Sequence, residues 1–190
     1  MEPSEEMVKP SREITLELAE AKGFVSKVEA SEKKRGFKKR LGLSVTSRGV
    51  RITISDYLLF GLKQGRADID PDMKPFLNDL AELILDTSYL VRIEGHTDNA
   101  PIKTKEFPSN WELSTTRAVN VLKYLMSEGE IPASRLSAAG YGEYQPLFPN
   151  DTPEHRARNR RIMIYLGKNE LETHRYKDKM ISKVGVLKSL

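Results

Sequence analysis

The sequence predicts an α/β (α+β) fold in which helices pack on one mixed sheet, in the order β-α-β-α-β-α-β over residues 43–167. Three observations predict it. Val50, Ile52 and Ile54 alternate with Arg51, Thr53 and Ser55, the period-two pattern of a half-buried strand. Met73, Phe76, Leu77, Leu80, Leu83 and Ile84 recur at the three-and-four spacing of one helical face. Two short apolar runs, Tyr89–Glu94 and Ile162–Leu166, read as further strands.

Taken in order, residues 1–10 are polar and Pro-bearing and read as a disordered linker. Residues 11–42 read as a helical linker segment whose helix is capped near Ser11, with Gly23 weighing against one unbroken helix. The basic run from Lys33 to Arg40 suits a helix end and a turn at Gly36 better than a nucleic-acid or membrane patch, because short basic runs are weakly specific. After the Val50–Ile54 strand, Asp70-Pro71-Asp72 supplies an acidic, Pro-marked helix start. The strand over Tyr89–Glu94 runs into Gly95-His96-Thr97-Asp98. The next helix starts near Ser109, which has capping-box spacing to Glu112, or near Ser114; its core face is Ala118, Val121, Leu122 and Leu125, and Gly129 and Pro132 end it. Leu136–Tyr141 is a short strand, and Thr152-Pro153-Glu154 caps a helix running through Arg158. Residues 168–190 read as a charged tail.

Composition narrows the function classes. Hydrophobic residues make up 38%, which suits one core with polar segments beside it and not two full cores. The net charge of +4 is mild, with 27 acidic residues among 31 basic ones, whereas a dedicated nucleic-acid binder is more lopsided. Cysteine is absent, so neither disulfides nor thiolate metal sites hold the fold. No stretch approaches the roughly 20 apolar residues of a membrane helix, and no signal peptide opens the chain, so a soluble piece is expected.

The chemistry concentrates at two positions. Asp98 sits just past a strand end, where side chains face a crevice. Arg117 falls in the first turns of the following helix, where the dipole disfavours a cation by roughly 0.3–1 kcal/mol, so an anionic ligand shared with the helix N-terminus would explain it. One carboxylate and one guanidinium suit a zwitterion; equally, the two could pair and staple helix to strand.

Ordered blocks then carry a resemblance. Val91–Asp98, Asn110-Trp111-Glu112-Leu113-Ser114 with Arg117-Ala118, Arg135-Leu136, Gly140-Tyr141-Gly142-Glu143 with Pro146, and Arg156 with Asn159-Arg160-Arg161 resemble the OmpA-like family, which holds periplasmic proteins to peptidoglycan. The resemblance implies that Asp98 and Arg117 hold the diaminopimelate residue of the stem peptide, with Leu113 helping through its backbone and Thr97, Asn110, Asn159 and Arg160 supporting. Within the family, the long loop Asn99–Asn110 with Trp111, the stretch Phe60–Ile69 and Gly140–Tyr144 are most similar to the wall-anchoring subunit of flagellar motor stators. That similarity implies a homodimer and a MotA-type membrane partner reached through a membrane helix missing from this sequence. It also implies a periplasmic location tethered to the inner membrane, an artificial start at Met1, no cofactor and no metal.

Three rivals remain. A metal-dependent hydrolase would use His96 and Asp98, but only His96, His155 and His174 exist and no nucleophile sits in a Gly-flanked elbow. A nucleic-acid module would use Arg156, Arg158, Arg160 and Arg161, which more simply neutralise acids and clamp helix to sheet. A Pal-type lipoprotein domain would bind the same wall ligand but be tethered by a lipidated cysteine.

Overall fold

In a computed structural model, residues 12–37, 40–46, 49–62 and 65–168 are described, and they form a single five-stranded sheet. The linker at 1–10, the Ser11 cap, Lys38, Lys39 and the tail from residue 169 lie outside the described residues. The strands are β1 (Leu41–Thr46), β2 (Gly49–Ser55), β3 (Leu90–His96), β4 (Leu136–Gly140) and β5 (Arg161–Gly167), in the spatial order β1-β2-β5-β3-β4. Only β3 and β4 run parallel; the other neighbours are antiparallel. The helices are α1 (Arg12–Lys34), α2 (Asp56–Phe60), α3 (Lys74–Leu85), α4 (Asn110–Ser127) and α5 (Pro153–Asn159).

The four expected strands and three expected helices are all present, and two elements join them. β1 adds an antiparallel edge to β2, with Leu41 opposite Ile54 and Leu43 opposite Ile52. α2 is a five-residue helix whose Leu58, Leu59 and Phe60 are buried. The boundary drawn between residues 42 and 43 therefore falls inside β1.

α1 runs unbroken through Gly23. This glycine is exposed, and a Cβ there would meet nothing within 4 Å, so its cost is limited to intrinsic propensity, about 1 kcal/mol. The opposite face buries Ala21, Phe24 and Val28 in the same core as the sheet and α3, and Phe24 meets Tyr89 edge to face at 6.0 Å. Ser31 donates to Asp79 of α3 (2.6 Å), and Arg35 grips the same carboxylate through Nε and Nη2 (3.0 and 2.6 Å). Glu32 accepts from the amides of Arg40 and Leu41 and so turns the chain into β1. Gly36, at φ +80°, takes the left-handed conformation that the turn requires.

Two glycines set the seat of α4. A Cβ on Gly95 of β3 would lie 2.0 Å from the Ser114 carbonyl oxygen, and one on Gly140 of β4 would lie 2.5 Å from the Thr115 amide nitrogen. Glycine at both positions lets the helix backbone approach the strands directly. That approach fixes where Arg117 stands relative to the end of β3.

Candidate functional site

Three adjacent strands deliver the site to one end of the sheet. Ser55 of β2, Arg161 of β5 and His96 of β3 lie in one row across the sheet. One step beyond that row stand Asp56, Arg160 and, after Thr97, Asp98. The Asp56 amide closes the row by donating to the Arg160 carbonyl at 3.1 Å. Above them sits a cavity of about 570 Å³, walled on its far side by α4 and the loop 99–109.

The structure brings Thr97, Asp98, Asn110, Leu113, Arg117 and Arg160 to this cavity. Asp98 is buried; Oδ1 accepts from the Ala100 amide (3.0 Å), and Oδ2 accepts from Arg160 Nη1 (2.6 Å). Arg117 is buried too, with Nε donating to the Arg66 carbonyl (2.8 Å), its guanidinium over the Phe60 ring (4.9 Å) and Nη1 facing Asp56 Oδ2 at 3.5 Å. Asp98 and Arg117 thus do not staple to each other. Each has its own opposite charge, and Arg160 bridges the two acids through Nη1 to Asp98 and Nε to Asp56 (3.5 Å).

Burial governs the ionisation of this group. Desolvation raises the Asp56 carboxyl above its ordinary value, although Arg117 and Arg160 pull it down. Desolvation likewise lowers the Arg117 guanidinium, partly offset by Asp56 and Asp98. The result is two acids and two guanidiniums in alternation, balanced in charge, with Arg160 the most exposed of the four.

Other positions depart from expectation. α4 starts at the Ser109 cap, whose Oγ accepts from the Trp111 amide (3.1 Å), so Arg117 lies about two turns in. The dipole acts on the first turn, so it does not explain this arginine; partners in the α2 region do. Asn159 is fully buried away from the cavity. Its Oδ1 accepts from the Leu147 and Phe148 amides and its Nδ2 donates to the Phe148 carbonyl and Asn150, so it staples a loop. The Asn110 amide nitrogen is committed to the Asp98 and Ala100 carbonyls and to Glu143 (3.3, 3.1 and 2.8 Å), which braces the cavity loop. The Leu113 amide donates to the Ser109 carbonyl, leaving its side chain to form wall with Ile102 and Phe107.

Among the described residues the buried Thr97 hydroxyl has no hydrogen-bond partner, although its backbone amide donates to the Gly142 carbonyl. Asp56 is the site residue that sequence reasoning missed. The available signal was the same one that found Asp98, a carboxylate one step past an alternating strand.

The rival sites dissolve into structure. His96 stacks on Tyr141 (5.2 Å) and faces Glu94 (3.4 Å) within the sheet's polar face. Arg156 donates to the Asn150 carbonyl, Arg158 lies over Phe148, and Arg161 donates to the Asn159 and Gln145 carbonyls. Burial pushes Arg161 down to about 10. Arg156 and Arg161 are thus committed to backbone carbonyls, and Arg158 is exposed over the Phe148 ring.

Comparison with known proteins fits this architecture. Residues 62–160 match the model of the OmpA family. Motility protein B of Bacillus subtilis (strain 168) is 38% identical over 148 residues, which cover 77% of this chain and 56% of that protein. The chain therefore spans little more than half the length of that curated relative. A MotB-like protein from Desulfovibrio vulgaris superposes with a TM-score of 0.73 at 28% identity, covering 83% of this chain and 100% of the other. The cell wall anchor of the T6SS from Pseudomonas aeruginosa superposes with a TM-score of 0.67 at 29% identity, covering 76% of this chain and 96% of the other. With a family model matched over more than half of its length, the chain belongs to the OmpA family.

Proposed function

We propose that this chain binds peptidoglycan without a covalent bond, by gripping the zwitterionic end of a diaminopimelate side chain. The observation that carries the reading is the alternation of Asp56, Arg117, Arg160 and Asp98 around one cavity. Asp98 spends one lone pair on each oxygen, and a carboxylate has about four, so capacity remains for an ammonium. Arg117 spends Nε on a carbonyl and sets Nη1 beside Asp56 at 3.5 Å, which leaves Nη2 to donate to a carboxylate. The buried Thr97 hydroxyl gains a partner when the ligand enters, and Ile102, Phe107 and Leu113 offer an apolar wall to the methylenes. Arg160 holds Asp98 in place, while Asn110 and Leu113 shape the cavity.

On this reading the chain is a wall anchor and not an enzyme, and it works where the wall is, in the periplasm. Similarity to Motility protein B supports a role as the periplasmic part of a MotB-type flagellar stator subunit, homodimeric and tethered to the inner membrane beside a MotA-type partner. No helix among the described residues is long and apolar enough to cross a membrane, so that tether lies outside them.

Calorimetric titration with three wall peptides tests the site. A charge-assisted hydrogen bond is worth about 1.5–3 kcal/mol, and 1.4 kcal/mol is a factor of ten. Diaminopimelate peptide should therefore bind about ten to 150 times more tightly than its lysine counterpart or its form amidated on the side-chain carboxylate. Equal affinities for the three would overturn the assignment of Arg117.

A further inference from the structure

The inner end of the cavity is balanced in charge, but its mouth is not. Lys103 and Lys105 stand on the loop that roofs the cavity, and both line it. Among the described residues neither forms an ion pair with any carboxylate; Glu106, next in sequence, lines the same cavity, and the mouth is left with one net positive charge. The loop that carries them is braced. The Ala100 amide donates to Asp98, Asn110 donates to the Ala100 carbonyl, and the Thr104 amide donates to the Phe107 carbonyl (2.9 Å). The Phe107 amide donates back to Thr104 Oγ1 (2.8 Å), and the Phe107 ring is buried against Ala67 and Leu113. The two lysines are thus held at the mouth by a hydrogen-bonded turn, while Ile102 and Phe107 of the same loop point into the apolar cluster.

The cavity also has room to spare. Its 570 Å³ lies within the range of roughly 300–1,000 Å³ typical of pockets that take drug-sized ligands, whereas a diaminopimelate side chain has only about eight heavy atoms. More of the stem peptide than one side chain fits inside. In such a peptide the residue before diaminopimelate is a glutamate joined through its side-chain carboxyl, which leaves its α-carboxylate free unless it is amidated.

We infer that Lys103 and Lys105 form a second subsite that takes this neighbouring carboxylate, so that the protein distinguishes wall peptides by the amidation state of the glutamate. The inference rests on the diaminopimelate reading of the inner site. It extends recognition from the end of one side chain to the backbone of the stem. Both lysines are exposed, so each contact has the strength of a surface ion pair and weakens with salt.

The test is titration of the protein, and of its K103Q/K105Q variant, with the alanyl-glutamyl-diaminopimelate stem peptide and with the same peptide amidated only on the glutamate. The wild-type protein should bind the free-carboxylate peptide about three- to thirtyfold more tightly. The variant should bind both peptides alike, at the affinity the wild type shows for the amidated one. The wild-type preference should shrink as salt rises. Equal wild-type affinities for the two peptides would overturn the lysine subsite and leave the inner site standing. A preference that survives in K103Q/K105Q would overturn the role of these lysines. Failure of both peptides to bind would overturn the inner site and this inference together.

Discussion

A hydroxyl buried without a partner is a cost the folded chain bears, about 1–3 kcal/mol by mutational measure, and Thr97 carries one at the wall of the cavity. Valine has nearly the same shape and no hydroxyl. Thr97→Val should therefore raise the unfolding free energy by about 1 kcal/mol, read as a higher midpoint in urea, while weakening binding of diaminopimelate peptide. A destabilised T97V would mean that the hydroxyl is satisfied in the folded protein. Single residues differ in how far the sequence betrays them. The place of Asp98 at a crevice was legible because it lies just past a strand end, where side chains leave the core. Asn159 was not, since its place in a polar, Arg-rich stretch says nothing about whether its amide turns to the cavity or, as here, to the 147–150 loop. Asp56 carried the same strand-end signal and was missed because the five-residue α2 that follows has no period to mark where the strand stops.

Among the elements, α1 shows how a charged helix joins a core. Its buried face is narrow, with Ala21, Phe24 and Val28, and the clamp at its C-terminal end is polar, with Ser31 and Arg35 on Asp79 of α3. The hydrogen bond from Arg35 is the largest influence holding the Asp79 carboxyl below its ordinary value of 3.8, against some desolvation. A carboxyl with a depressed folded value stabilises the fold above its unfolded value and loses that contribution as pH falls through the folded one. Asp79→Asn should thus lower the melting temperature at pH 6, and the gap to wild type should close as pH drops below about 3.8. A gap that stays constant from pH 6 to pH 2 would show that the clamp does not titrate. The reading of α1 from sequence was partial for a physical reason. Gly23 looks like a break, but one glycine costs a helix only about 1 kcal/mol, which burial of Ala21, Phe24 and Val28 offsets, and that burial is a tertiary property. β1 alternates Leu41, Leu43 and Val45 with Gly42, Ser44 and Thr46, yet it directly follows a basic run and pairs only at the sheet edge.

Among the described residues one hydrophobic cluster joins α1, α2, α3 and α4 to the sheet, so α1 shares its core with the sheet. Truncating Phe24 alone would cost about 3–5 kcal/mol, set against about 5–15 kcal/mol for an entire domain. A fragment spanning residues 43–167, which loses α1 and the first two residues of β1, should unfold at a much lower urea midpoint than one spanning 12–168, with circular dichroism as the readout. Equal midpoints would place α1 outside the cooperative unit. The row of Asp56, Arg160 and Asp98 at the ends of β2, β5 and β3 has one more consequence, a mechanical one. Lys168 just beyond the far end of β5 meets Glu17 and Glu20 near the start of α1, so α1 begins at the end of the sheet opposite the candidate site. If the proposed ligand is held there, tension between it and the start of α1 runs along the strands and loads the packing of α1 and the β1–β2 ladder in shear, many hydrogen bonds at once, instead of peeling them apart one by one.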